Sequence, residues 1–231
     1  MLPACNRSPI DRVRSASGGA VGTVTSATTF VVFSSELRTG GGAFEYPGGD
    51  NQTLSFEDRS DPLSNRSIRY FWNGQPATSV PGLSGSDGSF AGFTMMHTIS
   101  ESQYAGTPGR NLSAHAYSKI TFYARGVLSS STSLKIEGAD DPTMATPISC
   151  MTLSSDGSFD ECGANGDAPG DRRILNGGWQ PYTLRIYSQS SLTSVKDFFK
   201  ATFVYHFHLG SIPQPPGQGG TVYIDQIQYE Q

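Results

Sequence analysis

The chain has 231 residues, with 16 Lys+Arg against 20 Asp+Glu and a formal net charge of −4. Only 16% of residues are charged and no basic stripe forms, which excludes nucleic acid as a partner. There is no run of eighteen apolar residues, so no transmembrane segment is expected. Phe (13) and Tyr (10) accompany 27 Gly and 14 Pro, a mixture that suits many short strands joined by polar turns.

In chain order, Leu2-Pro3-Ala4-Cys5 resembles the end of a bacterial lipoprotein signal, which would make Cys5 a lipidated residue and a possible lipid anchor, although the usual basic and apolar regions are missing. Residues 6–28, rich in Ser, Gly and Thr, carry few core-forming side chains. The division is therefore a flexible tether over 1–28 and one β-sandwich domain over 29–231.

Strand-like segments then recur at 29–33, 52–56, 67–72, 90–96, 119–124, 133–137, 147–153, 182–187, 201–209 and 221–229, with turn signals such as Asn73-Gly74 between them. Ile120, Phe122 and Ala124 point one way while Thr121 and Tyr123 point the other. Phe203, Tyr205 and Phe207 alternate with Val204, His206 and His208. Helical periodicity is confined to one turn around 192–199. About ten strands without helical crossovers predict an all-β, antiparallel, two-sheet sandwich of jelly-roll type.

Two local features stand out. Between Val222/Ile224 and Ile227/Tyr229 the apolar phase slips by one residue, the signature of a β-bulge, and Asp225 sits at the slip. That aspartate is either an oxygen ligand for a hard cation or the acceptor for a bulge amide. Cys150 and Cys162 enclose a polar loop with a Gly turn; they close a disulfide in an oxidising compartment, or remain two thiols.

Segments 32–37 (VFSSEL), 117–126 (YSKITFYARG), 179–184 (WQPYTL) and 220–230 (GTVYIDQIQYE) resemble, in this order, strands of jelly-roll carbohydrate-binding modules of the galactose-binding-like β-sandwich family. The resemblance implies non-catalytic binding of a polysaccharide or oligosaccharide by a secreted or cell-surface bacterial protein. It also implies a structural calcium, with Glu36, Asp50 and Asp225 as its ligands. Sugar rings are gripped by exposed aromatic faces with polar groups beside them. The candidates are Trp72 at a strand end, Tyr46 in the Gly-rich 40–50 loop, Tyr104 before Pro108-Gly109, and His97 as a hydroxyl partner, while Trp179 is expected in the core.

Two other classes compete. Ser35-Glu36-Leu37-Arg38 and Phe199-Lys200-Ala201 resemble strands of jelly-roll alginate lyases, but the first arginine of that motif is replaced by Ser34 and its Gln-Ile-His is absent. Glycosidase chemistry needs two carboxylates across the scissile bond, and no Glu-x-Asp-x-Glu pattern occurs, so no catalytic residue is assigned. His206-x-His208 lacks a third ligand at suitable spacing. A structural or adhesive surface domain without a sugar site would use the same sandwich.

Overall fold

The computed structural model describes residues 29–34, 36–38, 42–46, 52–58, 66–74, 90–96, 109–140, 149–162, 171–187, 190–206 and 219–231. The tether, Cys5, Asp50, His97, Tyr104 and His208 lie outside them. Twelve strands are described: β1 (Thr29–Phe33), β2 (Gly42–Tyr46), β3 (Gln52–Asp58), β4 (Arg66–Trp72), β5 (Phe90–Met96), β6 (Lys119–Leu128), β7 (Thr132–Asp140), β8 (Ser149–Ser154), β9 (Asp171–Ile174), β10 (Gln180–Arg185), β11 (Asp197–Tyr205) and β12 (Gly220–Glu230). The turn expected near 192–199 is a 3₁₀ turn at Ser190–Ser194, after which β11 begins.

The strands form two six-stranded sheets. Sheet I runs β10-β6-β12-β4-β3 with β1 paired to β12, and sheet II runs β2-β5-β11-β7-β8-β9. This is the two-sheet β-sandwich expected from the alternation, with one departure: β9 lies parallel to β8, so sheet II is mixed. Both β2 and β9 were absent from the expected strands. The first sits in a Gly-rich stretch, and the second, Asp-Arg-Arg-Ile, exposes most of its side chains and therefore shows no apolar period.

Alternation decides which side chains enter the core. Along β6 every second residue, from Ile120 through Phe122 and Ala124 to Leu128, is buried, while those between are wholly or partly exposed. The facing aromatics interlock across the sheets. Tyr70 of β4 stacks on Phe203 of β11 at 4.8 Å and meets Phe93 of β5 edge-on at 5.1 Å. Phe122 of β6 meets Phe199 of β11 edge-on at 5.3 Å. The buried Tyr229 hydroxyl also crosses the interior, donating to the Phe198 carbonyl at 2.8 Å. At the β2/β3 edge the Leu54 amide donates to the Glu45 carboxylate, whose pKa is raised by burial. At the opposite edge the Tyr182 hydroxyl donates to the Ile174 carbonyl at 2.9 Å.

The outer face of sheet II is largely covered. Cys150 and Cys162 are joined in a disulfide with Cα atoms 5.7 Å apart. The loop they close lies beside β8: Thr152 Oγ1 accepts from the Glu161 amide, and Cys162 is buried.

Strand β12 is the seam of sheet I. Its first half, Gly220 to Ile224, pairs with β4, and its last residues, Ile227 to Glu230, pair with β1. The register against β6 breaks between Asp225 and Gln228, so the bulge lies where β12 changes neighbours. Gln226 takes a left-handed φ of 49°, and its amide donates to Asp225 Oδ1 at 2.7 Å. Asp225 is 0% exposed, so it is a buried bulge acceptor. Replacing it by Ala leaves that amide without its partner, a loss of about 1–3 kcal/mol. Urea unfolding should place the Asp225→Ala midpoint well below wild type, with Asp225→Asn between them; an unchanged Ala midpoint would contradict the capping role.

Candidate functional site

The outward phase of sheet I carries a row of aromatic and cationic side chains. In the pairing of β4, β12 and β6, Arg69 stands opposite Tyr223, and Tyr223 opposite Arg125. Just before β10, Trp179 extends the row. The Arg125 guanidinium lies 4.7 Å from the Tyr223 ring centre and 5.2 Å from that of Trp179. Arg69 in turn sits 5.6 Å from the ring of Phe71. Tyr123 flanks the row on β6, paired with Pro181 of β10. All six of these aromatic and arginine side chains are partly exposed, because each is out of phase with a buried neighbour such as Ala124, Ile224 or Tyr70.

This geometry has a clear chemical capacity. Planar guanidinium and aromatic faces are weakly hydrated and attract each other, so each holds the other in one orientation. Arg125 Nε is covered and meets no acceptor among the described residues. The row therefore presents fixed apolar ring surface with hydrogen-bond donors beside it, mounted on paired strands. Beside β10 the sheets part into a groove of about 450 Å³ lined by Asp171, Arg173, Thr183, Leu184, Arg185 and Tyr187. Thr183 lines this groove and also pairs with Thr121, so the groove adjoins the outer face.

The residues chosen from the sequence are arranged differently. Trp72 is only 1% exposed and stacks on Phe203 at 5.9 Å, so it cannot serve as a binding platform. It shares the inward phase of Ile68 and Tyr70. Tyr46 belongs to strand β2, whereas a loop was expected. Trp179, expected in the core, is instead partly exposed in the outer row. It is out of phase with the buried Tyr182 and Leu184, the signal that could have located it. Tyr104 and His97 lie outside the described residues.

Of the residues named for calcium, Glu36 is exposed, Asp225 is buried in the bulge and Asp50 is outside the described residues. Among the described residues no group of three or more His, Cys, Asp or Glu could hold a metal ion. The described residues thus do not assemble that ligand set.

A serine, histidine and glutamate do meet on sheet II. His206 Nε2 lies 2.9 Å from both Ser133 Oγ and Glu161 Oε1, and its ring stacks on Phe159 at 3.6 Å. Nucleophilic catalysis needs the acid on the other ring nitrogen and an accessible hydroxyl. Here both partners share one nitrogen and Ser133 is fully buried, so the cluster fastens the disulfide loop to β7 and the residue after β11.

No protein-family model matches the chain, and none of the curated proteins matches it. Solved structures similar to it include a CBM27-1 carbohydrate-binding module of Caldicellulosiruptor saccharolyticus in complex with mannohexaose, at a TM-score of 0.48 and 10% identity over 90% of this chain and 98% of that one. A family 30 carbohydrate-binding module of a Clostridium thermocellum cellulosomal cellulase aligns at a TM-score of 0.45 and 10% identity, covering 87% and 96%. A family 11 module from Clostridium thermocellum, in complex with a β-1,3-1,4-mixed-linked tetrasaccharide, aligns at 0.42 and 10%, covering 87% and 95%.

On the same face Glu230 is the centre of a polar clasp. Its Oε1 accepts from Thr121 Oγ1 at 2.7 Å and from Gln228 Nε2 at 2.6 Å, and its Oε2 pairs with Lys119 Nζ at 3.2 Å. The Thr121 hydrogen bond is the largest influence and lowers the carboxyl's pKa; burial, the next largest, opposes it, and Lys119 and Gln228 add to the lowering, so the group stays below its ordinary value. A depressed folded-state pKa contributes stability above the ordinary carboxylate range, and that stability is lost as pH falls through the folded-state value. Thermal unfolding of wild type and Glu230→Gln should therefore differ at neutral pH and converge in acid. A gap independent of pH would show that the clasp acts through shape alone.

Proposed function

We propose that the chain is a non-catalytic binding domain for a polysaccharide or oligosaccharide, and that the ligand lies along the outer row of sheet I. The observation that carries this reading is the Arg125 guanidinium held between Trp179 and Tyr223, with Tyr123, Arg69 and Phe71 around it. Pyranose rings present apolar faces that suit fixed aromatic surfaces, and hydroxyls that suit guanidinium donors. A row crossing several strands fits an extended chain better than a single sugar, because strands stand roughly 4.8 Å apart. The groove beside β10 offers space for the chain to continue. The disulfide supports a place outside the reducing cytosol, at the cell surface or in the extracellular medium.

Affinity electrophoresis on gels containing β-glucan, xylan or mannan tests the reading. Wild type should be retarded on at least one gel. Trp179→Ala and Tyr223→Ala should each weaken binding about tenfold, the scale of one lost stacking contact. Normal mobility on every gel, or variants that bind as wild type does, would overturn the proposal.

A further inference from the structure

At the end of β1, away from the outer row, two arginines share one aromatic ring. The Arg38 guanidinium lies 4.0 Å from the ring centre of Phe30, and that of Arg110 lies 5.1 Å from it. Phe30 is buried, packed edge-on against Phe198 at 5.2 Å and Tyr229 at 5.8 Å, with Tyr117 at 6.4 Å. Both arginines stand on anchored backbone. The Arg38 amide donates to the Val32 carbonyl at 3.0 Å, and Arg110 exchanges two hydrogen bonds with Val195, at 2.8 and 2.9 Å. Neither guanidinium forms an ion pair with a carboxylate of the described residues.

This is an unusual balance of charge. Like charges close together repel, and the partial burial of Arg38 removes some of the water that would screen it from the exposed Arg110. Burial lowers the Arg38 pKa, and the neighbouring Arg110 charge pushes in the same direction, against a smaller opposing pull from Tyr117. Burial likewise raises the Tyr117 pKa, while Arg38 and Arg110 draw it down. A pair of cations with no anionic partner among the described residues is stabilised most by an anion from outside. Planar guanidinium groups offer paired N–H donors that match the oxygens of carboxylate, sulfate or phosphate.

We infer that Arg38 and Arg110, braced on Phe30 beside Tyr117, form a binding site for an oxyanion, separate from the outer row of sheet I. The group it takes is a carboxylate, sulfate or phosphate, either as a free ion or borne by a glycan. Phe30 braces both cations, and each guanidinium offers the ligand a planar fork of N–H donors.

Thermal unfolding of the full chain in millimolar sodium sulfate, against sodium chloride at the same ionic strength, tests the site. Sulfate also stabilises proteins generally, so the decisive quantity is the difference between wild type and variants. Wild type should gain stability with a saturable dependence on sulfate. Arg38→Gln and Arg110→Gln should each weaken the apparent affinity about tenfold, the scale of one charged hydrogen-bond pair. Arg38→Lys, which keeps the charge and the packing stem, should retain part of the effect and guards against a variant that fails to fold. A parallel titration with oligogalacturonate separates the sources: a response to both ligands that is lost in the Gln variants identifies a glycan-borne anion, and a response to sulfate alone identifies a free ion. The sulfate arm uses no sugar, and Arg172→Gln, at an exposed arginine of β9, should leave its response unchanged, so this arm is independent of the outer-row reading. The same response in wild type and both Gln variants, or no saturable response to either ligand, would overturn the inference.

Discussion

The structure depends on one layer of aromatic rings clamped between two sheets. Tyr70, Trp72 and Phe203 are stacked in it, while Phe93, Phe122 and Phe199 close it by tilted and edge-on contacts. Such rings bury large apolar areas, and their quadrupoles favour the offset and edge-on arrangements seen here. Once that layer commits one phase of each strand to the interior, the opposite phase is committed to the exterior. The character of the outer surface is therefore a by-product of the core.

On sheet II that exterior is mostly covered. Thr94 donates to Asp197 at 2.9 Å, Lys135 pairs with Glu137 at 2.7 Å, and the disulfide loop lies alongside β8. On sheet I the exterior remains partly open, with rings and guanidinium groups bracing one another. A surface built from paired strands keeps its geometry without a ligand, so little ordering is needed on binding. The two faces of the sandwich thus differ in kind: among the described residues, one is largely buried and the other leaves its rings and guanidinium groups partly exposed.

Much of this was legible in the alternation. The phases of β6 and β11, the slip at Asp225 and the two-sheet class all follow from where apolar residues recur at every second position. The two strands that escaped notice have no such signal: β2 lies among glycines, and β9 is a polar edge strand recognised only through its pairing with β8. The exposed aromatic row is hidden from the sequence for a different reason. Trp72 was judged by its position beside Asn73-Gly74, when its phase with Ile68 and Tyr70 already directed it inward. Trp179, Tyr223 and Arg125 were equally available from phase, but their meeting depends on which strands are neighbours. That order comes from pairing β12 with both β4 and β6, and no local pattern encodes it.

The exchange of neighbours along β12 has a consequence for motion. Among the described residues, strand β1 is stitched to sheet I only through the last residues of β12, beyond the bulge, and β4 does not border it there. Its pairing is separate from that of Gly220 to Ile224 with β4, so the two halves of β12 can open independently. What restrains β1 is the core, in which Phe30, Val32 and Phe33 are all buried, and Phe30 is gripped as well by two cations that repel each other. A counter-ion settling between them would tighten that grip, coupling the chemistry of the surrounding solution to how often the first strand lifts away.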